Sequence, residues 1–222
     1  MGRLGMGTRD AYGRARCLGN RALRNRRRPA GKVAVPAPEI MFQLLDGTQA
    51  AEHEAELQAL HAEVYADPPY RRTGGGTGQY ARRFRVQRRQ PGFALAEARS
   101  GGYLVGYATG LPLRPSTSWW RELTTPLPDK DTAEHPGRTF ALTDLLVRAP
   151  WRRQGIGQTL HDLILGGRTE ERATLTVLPA AAPAQSAFQN WGWRKVARTR
   201  DPGPGSPVSD VLVTSLPAGR RP

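Results

Sequence analysis

The stretch LLVRAPWRRQGIGQTLHDLIL, Leu145 to Leu165, constrains this chain more than any other. It begins as a strand, turns on Pro150 and two glycines, and continues as a helix in which Leu160, Leu163 and Ile164 recur at helical spacing. A helix that opens at glycines leaves its first amides without intrahelical partners, and glycine lets phosphate oxygens approach that backbone closely. Arg152 and Arg153 add positive charge at the same point. The turn is therefore read as an anion nest, with a plain tight turn as the alternative. It matches neither the P-loop nor the dinucleotide glycine pattern.

The segments around it supply a fold. IMFQLL, Ile40 to Leu45, reads as a strand; Thr48 is the expected cap of a helix that carries Leu57, Leu60 and Val64 on one face and ends at Pro68 and Pro69. GQYARRFRVQRRQ reads as a second helix stopped by Pro91. GFALAEA and GYLVGYATGLPL read as two strands joined at RSGG, a hairpin signal. Residues 114–138, rich in Pro, Ser, Thr and Trp, form a long insertion expected to act as a lid loop. TFALTDLLV then leads into the opening stretch, and ATLTVL, APAQSAFQNW, GWRKVAR and VSDVLVTSL follow as strand, short helix and two closing strands. The order β-α-α-β-β-β-α-β-α-β-β predicts an α/β (α+β) domain over residues 39–218, with 219–222 as a tail and no internal repeat.

Charge and cysteine usage bound the setting. The chain of 222 residues has a net charge of +14, and ten basic residues against Asp10 and Glu39 put more than half of it in the first forty positions. Residues 1–38 lack sustained periodicity and cannot bury enough apolar surface to offset ordering entropy, so a disordered basic extension is predicted there. Met41 opens the first strand-like segment, so a start at Met41, with the preceding residues as an upstream extension, is a second reading. A nucleic-acid-binding arm is a third, but no aromatic residues interleave the arginines and nucleic acid is not the expected partner. Cys17 is the single cysteine, which excludes an intramolecular disulfide framework and a multi-thiolate metal site and fits a reducing, cytoplasmic setting. The four histidines lack metal spacing, so no metal is expected. No run approaches the roughly 18 apolar residues of a membrane span, and the N-terminus lacks the apolar core of a secretory signal.

The pattern R-x-x-G-x-G at Arg152, Gly155 and Gly157, after DLLV and before an amphipathic helix, resembles the acyl-CoA pyrophosphate loop of the GNAT (general N-acetyltransferase) superfamily. ERATLTVLPAAAPAQSAFQNWGWRKVAR is similar to the family's next strand, short helix and Gly-aromatic strand opening, and the resemblance spans Ile40 to Leu216. It implies a twisted, mixed but mostly antiparallel sheet of six or seven strands with helices on both faces. It also implies acetyl-CoA as co-substrate, with Leu145, Leu146 and Val147 lining the pantetheine arm. The pyrophosphate would rest on Arg152, Arg153, Gln154, Gly155, Ile156 and Gly157.

Direct attack of an amine on the thioester needs a deprotonated nitrogen, an oxyanion donor and an acid for the thiolate. Asp144 is the candidate to take the amine proton; the alternative is a strand carboxylate that pairs with an arginine or orients the amine. Many family members use a Tyr on the short last helix as the acid, and here that position is Phe188, expected to pack on the pantetheine; Tyr107, Tyr103 and Tyr70 are the candidate replacements. Tyr70, Trp119, Trp120 and Glu122 are the expected acceptor-binding residues, with Tyr65 and Asp67 nearby. The function implied is N-acetyltransfer to the primary amine of a small molecule. A non-catalytic acyl-CoA sensor, a protein N-acetyltransferase and a nucleic-acid binder are the alternatives. A homodimer is open, since many relatives dimerise.

Overall fold

The structure is a computed structural model and describes residues 39–71, 76–200 and 206–217. The described residues belong to the unit Pro38–Pro222. The predicted N-terminal extension and the tail at 219–222 lie outside the described residues.

One seven-stranded sheet organises the domain: β1 (Ile40–Leu45), β2 (Ala94–Ser100), β3 (Tyr103–Pro112), β4 (Thr139–Val147), β5 (Arg172–Val177), β6 (Arg194–Arg200) and β7 (Val208–Ser215). Their spatial order is β1-β2-β3-β4-β5-β7-β6. Every pairing is antiparallel except β4 with β5, which is parallel. The period-two alternation of the strands sorts side chains onto two faces. On one, Leu95 of β2, Leu104, Tyr107 and Leu111 of β3 and Leu146 of β4 pack with α1 (Glu54–Ala66) and α2 (Gly76–Gln87). On the other, Ala96, Val105, Ala108, Phe140, Leu142 and Leu212 pack beneath α4 (Ile156–Leu165) and α5 (Ala182–Asn190). Helices therefore cover both faces, as the α/β reading required.

Local chemistry adjusts the predicted boundaries. Thr48 makes no side-chain cap; Asp46 does, its Oδ1 accepting from the amides of Thr48 and Gln49 at 2.8 and 2.9 Å. The chain first makes a 3₁₀ turn, Gln49–His53, before α1 begins. The Asp46 carboxylate, one bond longer than a Thr hydroxyl, reaches forward to the amides two and three residues on. The hairpin between β2 and β3 turns on Gly101 and Gly102, both at positive φ, as the RSGG signal required.

The insertion differs from the lid expected of it. It carries the short helix α3 (Asp129–Thr132) and packs on the sheet face opposite α4 and α5, where Trp120 joins Ala141, Val211 and Val213. Leu123 bridges Thr199 of the edge strand β6, and the amide of Thr124 donates to the Arg198 carbonyl at 2.8 Å. α1 and α2 stop short of this half of the sheet, so the segment covers apolar surface that would otherwise meet water.

Ion pairs set the acid limit of this fold. The Arg99 hydrogen bond holds the Glu56 carboxyl below its usual range. Burial pushes the Glu170 and Asp210 carboxyls up, but Arg168 beside the first, and Lys195 and Arg198 beside the second, outweigh it and leave both lowered. A carboxylate with a lower folded than unfolded pKa adds stability that is complete above the unfolded value, about 4, and is lost as pH falls through the folded value. Urea midpoints are thus expected to be flat from neutral pH to about 5 and to fall steadily below about 4. A midpoint that rises on acidification would contradict these assignments.

Candidate active site

The parallel pair β4–β5 does not stay paired. Its register runs Thr139–Arg172, Phe140–Ala173 and Ala141–Thr174, and then the strands part. The cause lies on the other edge of β4. Thr109 faces Asp144 and Gly110 faces Leu142, so Thr143 is the extra residue of a bulge that bends β4 away from β5. Gly110 permits the bend: a Cβ there would stand 2.4 Å from the Phe140 ring. From Leu142 on, the β5-facing edge of β4 offers backbone groups that no strand pairs. The gap is a narrow cleft of about 60 Å³, lined by Leu142 to Leu146, Leu175 to Val177, Tyr65, Tyr70, Ala184 and Phe188.

The glycine turn follows directly from the parted strand. Arg148 leaves β4, Pro150 sits in a 3₁₀ turn at Ala149–Trp151, and Arg152 is extended. Arg153 then adopts φ 65° and Gly155 φ 82°, the left-handed region that favours glycine. Gly155 is the N-cap of α4 and supplies no side-chain cap, so the first amides of the helix remain open. Arg152 Nε donates to the Val147 carbonyl at 3.0 Å, and Gln154 Nε2 to the Pro150 carbonyl at 3.1 Å, which ties the loop to the strand. A Cβ on Gly157 would lie 3.8 Å from Leu145 and 3.9 Å from Val147 and Trp191. The helix start thus rests on the side chains of the parted strand.

The structure brings most of the predicted residues together. Asp144, Leu145 and Leu146 line the cleft, and Phe188 and Tyr70 face it. Leu145 and Val147 turn toward α4 while Leu146 packs among the residues under α1 and α2. Phe188 is buried, with its ring edge-on to Trp191 and Trp193 at 5.5 and 5.7 Å. Trp119, Trp120 and Glu122 go elsewhere. Trp120 donates to Glu134 at 2.9 Å and lines a separate cavity of about 270 Å³ with Leu127, Arg172, Lys195 and Val213. Trp119 packs in the same apolar cluster, and the Glu122 carbonyl accepts from Thr199 and Arg200 of β6.

Asp144 is held in an ion pair. Its side chain is 2% exposed, Arg83 Nη2 reaches both carboxylate oxygens at 2.9 and 2.8 Å, and Thr109 Oγ1 donates at 3.1 Å. The charge of Asp144 raises the Arg83 guanidinium further above its ordinary range. With both oxygens already accepting, the carboxylate positions a cation and is poorly placed to collect a proton. Arg83 is one of several arginines in GQYARRFRVQRRQ, and nothing local sets it apart from the others. Its partner lies 61 residues away, so only the packing of α2 on the sheet reveals it.

His161 is also accounted for. Trp193 Nε1 donates to His161 Nε2 at 3.0 Å, and an indole nitrogen can only donate, so that ring nitrogen is an acceptor. The proton sits on Nδ1, against Asp162 at 2.8 Å. The imidazole ties α4 to the start of β6 and takes no part in the cleft. Among the described residues no group of three or more His, Cys, Asp or Glu side chains is arranged to hold a metal ion, and no helix is long and apolar enough to cross a membrane.

The parallel strand pair thus opens into a cleft beside an uncapped, glycine-started helix whose first amides are free to accept an anion. The acetyltransferase (GNAT) family model matches residues 67–193, more than half of the chain, and the chain belongs to that family. Its members use acetyl-CoA. Solved structures agree on the fold. The ribosomal-protein-S18-alanine N-acetyltransferase from Escherichia coli superposes with a TM-score of 0.53 at 14% identity, over 83% of this chain and 99% of that one. Arabidopsis thaliana NAA60, in complex with a bisubstrate analogue, gives 0.57 at 16%, over 82% and 100%. yncA from Salmonella typhimurium, solved with acetyl-CoA as its cofactor, gives 0.56 at 13%, over 83% and 98%. No curated protein matches the chain.

Proposed function

We propose that this acetyltransferase moves the acetyl group of acetyl-CoA to the primary amine of a small molecule, by direct attack within the β4–β5 cleft. The observation that carries the reading is the parting of β4 from β5 after Ala141, with the open amides of α4 at the end of the same strand. The unpaired edge at Leu145, Leu146 and Val147 bonds the pantetheine as an added strand would. The amides from Arg153 to Gly157, with Arg152 beside them, hold the pyrophosphate. Phe188 packs against the pantetheine arm. Bound there, the cofactor supplies an activated acetyl group, and the chain supplies its orientation and a cleft that admits little water. Asp144 and Arg83 together fix the floor of the acceptor end, next to Thr143.

The small volume of the cleft, about 60 Å³, supports a small acceptor. A protein amine is the second reading, favoured by the insertion, which packs on the far half of the sheet and lines no part of the cleft. The Escherichia coli neighbour, named for an alanine of a ribosomal protein, shares the fold alone. The test has two arms. Saturating acetyl-CoA, at about a hundred times its Kd, is expected to stabilise the protein by about 2.7 kcal/mol. Release of free thiol is then followed with a panel of small amines and with peptides of free N-terminus. Turnover confined to peptides would replace the small-molecule reading, and absence of stabilisation would remove the cofactor site.

A further inference from the structure

Acetyl transfer leaves a sulfur that takes up a proton, and a donor within the cleft eases its departure. Phe188, which faces the gap, has none. The cleft side chains that carry an O–H are Thr143, Thr176, Tyr65 and Tyr70, since Asp144 accepts from Arg83. A phenol, with an ordinary pKa near 10, is far better matched to a thiol near 8.5 than an alcohol is. Thr143 is in any case bound to Thr109, at 2.9 Å between hydroxyls and 3.2 Å to its carbonyl.

The tyrosines then separate by position. Tyr107 is fully buried beneath α1 and α2, where burial and then the Asp144 charge push its hydroxyl well up. Tyr103 is 53% exposed and carries the Arg148 guanidinium 4.6 Å over its ring, so it lies outside the cleft. Tyr65 stacks on His61 at 4.2 Å, packs with the cluster under α1 and α2, and interacts with Arg83. Tyr70 differs. Its ring leans on Tyr65 at 4.5 Å but packs against the opposite cluster, the one that contains Phe188, Leu142 and Leu175. It is the phenol of the cleft lining that packs with the cluster to which Phe188 belongs.

We propose that Tyr70 is the general acid for the departing coenzyme A thiolate, delivered from the segment after α1 to a cleft whose α5 wall has no donor. The assignment rests on the acetyl-transfer reading. In the step, the acceptor nitrogen forms a bond to the acetyl carbon, and the carbon–sulfur bond breaks with its electron pair on sulfur. Tyr70 gives its hydroxyl proton to that sulfur. The acylated nitrogen sheds one proton to water and the phenolate takes one back, so the products are the amide and free coenzyme A.

The test compares the wild type with Tyr70→Phe and with Tyr70→Phe/Phe188→Tyr, which moves the hydroxyl to the other wall. Tyr70→Phe is expected to lower kcat about a hundredfold, within the usual span for a lost general acid. The KM for acetyl-CoA should change less than about threefold. The double variant should recover at least about a tenth of the lost rate. A second readout needs no turnover: the ultraviolet thiolate absorbance of bound coenzyme A, titrated with pH. Loss of the phenol hydrogen bond is expected to raise the bound thiol's pKa by about one unit in Tyr70→Phe. Unchanged kcat or an unchanged thiol titration overturns the proposal, and so does loss of coenzyme A stabilisation in Tyr70→Phe, which would make Tyr70 a wall of the binding site. If the wild type transfers no acetyl group, the acetyl-transfer reading fails, and the thiol titration still decides whether Tyr70 reaches the sulfur.

Discussion

Gly155→Glu abolishes stabilisation by acetyl-CoA in the expected result, while the protein without cofactor still unfolds cooperatively. Gly155 stands at φ 82° as the N-cap of α4, and nothing lies within 4 Å of the position a Cβ would take. The substitution therefore meets no clash, and its cost in the free protein is the left-handed backbone, about 1–2 kcal/mol. Its effect on the proposed anion site is larger. A carboxylate placed among open helix amides satisfies them internally and repels a pyrophosphate, which together is worth roughly 3 kcal/mol, or about a hundredfold in Kd. Gly155→Ala separates the two contributions, because it keeps most of the strain without the charge. Thermal shift at a series of acetyl-CoA concentrations measures both. Equal Kd values for Gly155→Glu and wild type would show that the phosphates bind elsewhere.

The second large effect concerns the pair beneath the acceptor end. Arg83→Met is expected to destabilise the protein by about 3 kcal/mol, and Asp144→Asn by about 1 kcal/mol. The asymmetry follows from burial. Asp144 is 2% exposed, so removing Arg83 strands a buried charge to which Thr109 Oγ1 still donates. Arg83 is 40% exposed and can turn to water when its partner is lost, which discounts that side of the pair. Urea midpoints measure the two costs. Both variants should lower kcat by a similar factor, since each removes the same positioning device. If Asp144→Asn alone abolishes turnover while Arg83→Met retains it, Asp144 is a proton acceptor and the ion pair is incidental.

Much of the fold was legible because its signals are local. Alternating apolar residues in ALAEARS and YLVGYATGLP, with two glycines between them, dictate a hairpin wherever it is placed. The i, i+4 spacing of Ile156, Leu160 and Ile164 dictates a helix buried on one side. The Pro-Trp-Arg-Arg-Gln-Gly-Ile-Gly turn carried the anion-nest expectation for the same reason, since a glycine turn before a helix is a property of a few consecutive residues, whereas acetyl-CoA was implied by the resemblance. The insertion is different in kind, because its place depends on what it covers. Trp119 and Trp120 carry no local sign that would tell an acceptor wall from an anchor on Val211 and Val213, which are some ninety residues further along the chain.

The sequence by itself determined the elements, their order, the glycine turn and the lack of a hydroxyl at Phe188, since each follows from residue type and short-range spacing. Tertiary structure alone decided where β4 leaves β5, that Asp144 is spoken for by Arg83, that the tryptophans lie away from the cleft, and that Tyr70 lines it. Those four outcomes depend on distances between residues far apart in the chain. Such distances are set by the packing of α1, α2 and the insertion on one twisted sheet, and no local pattern encodes them.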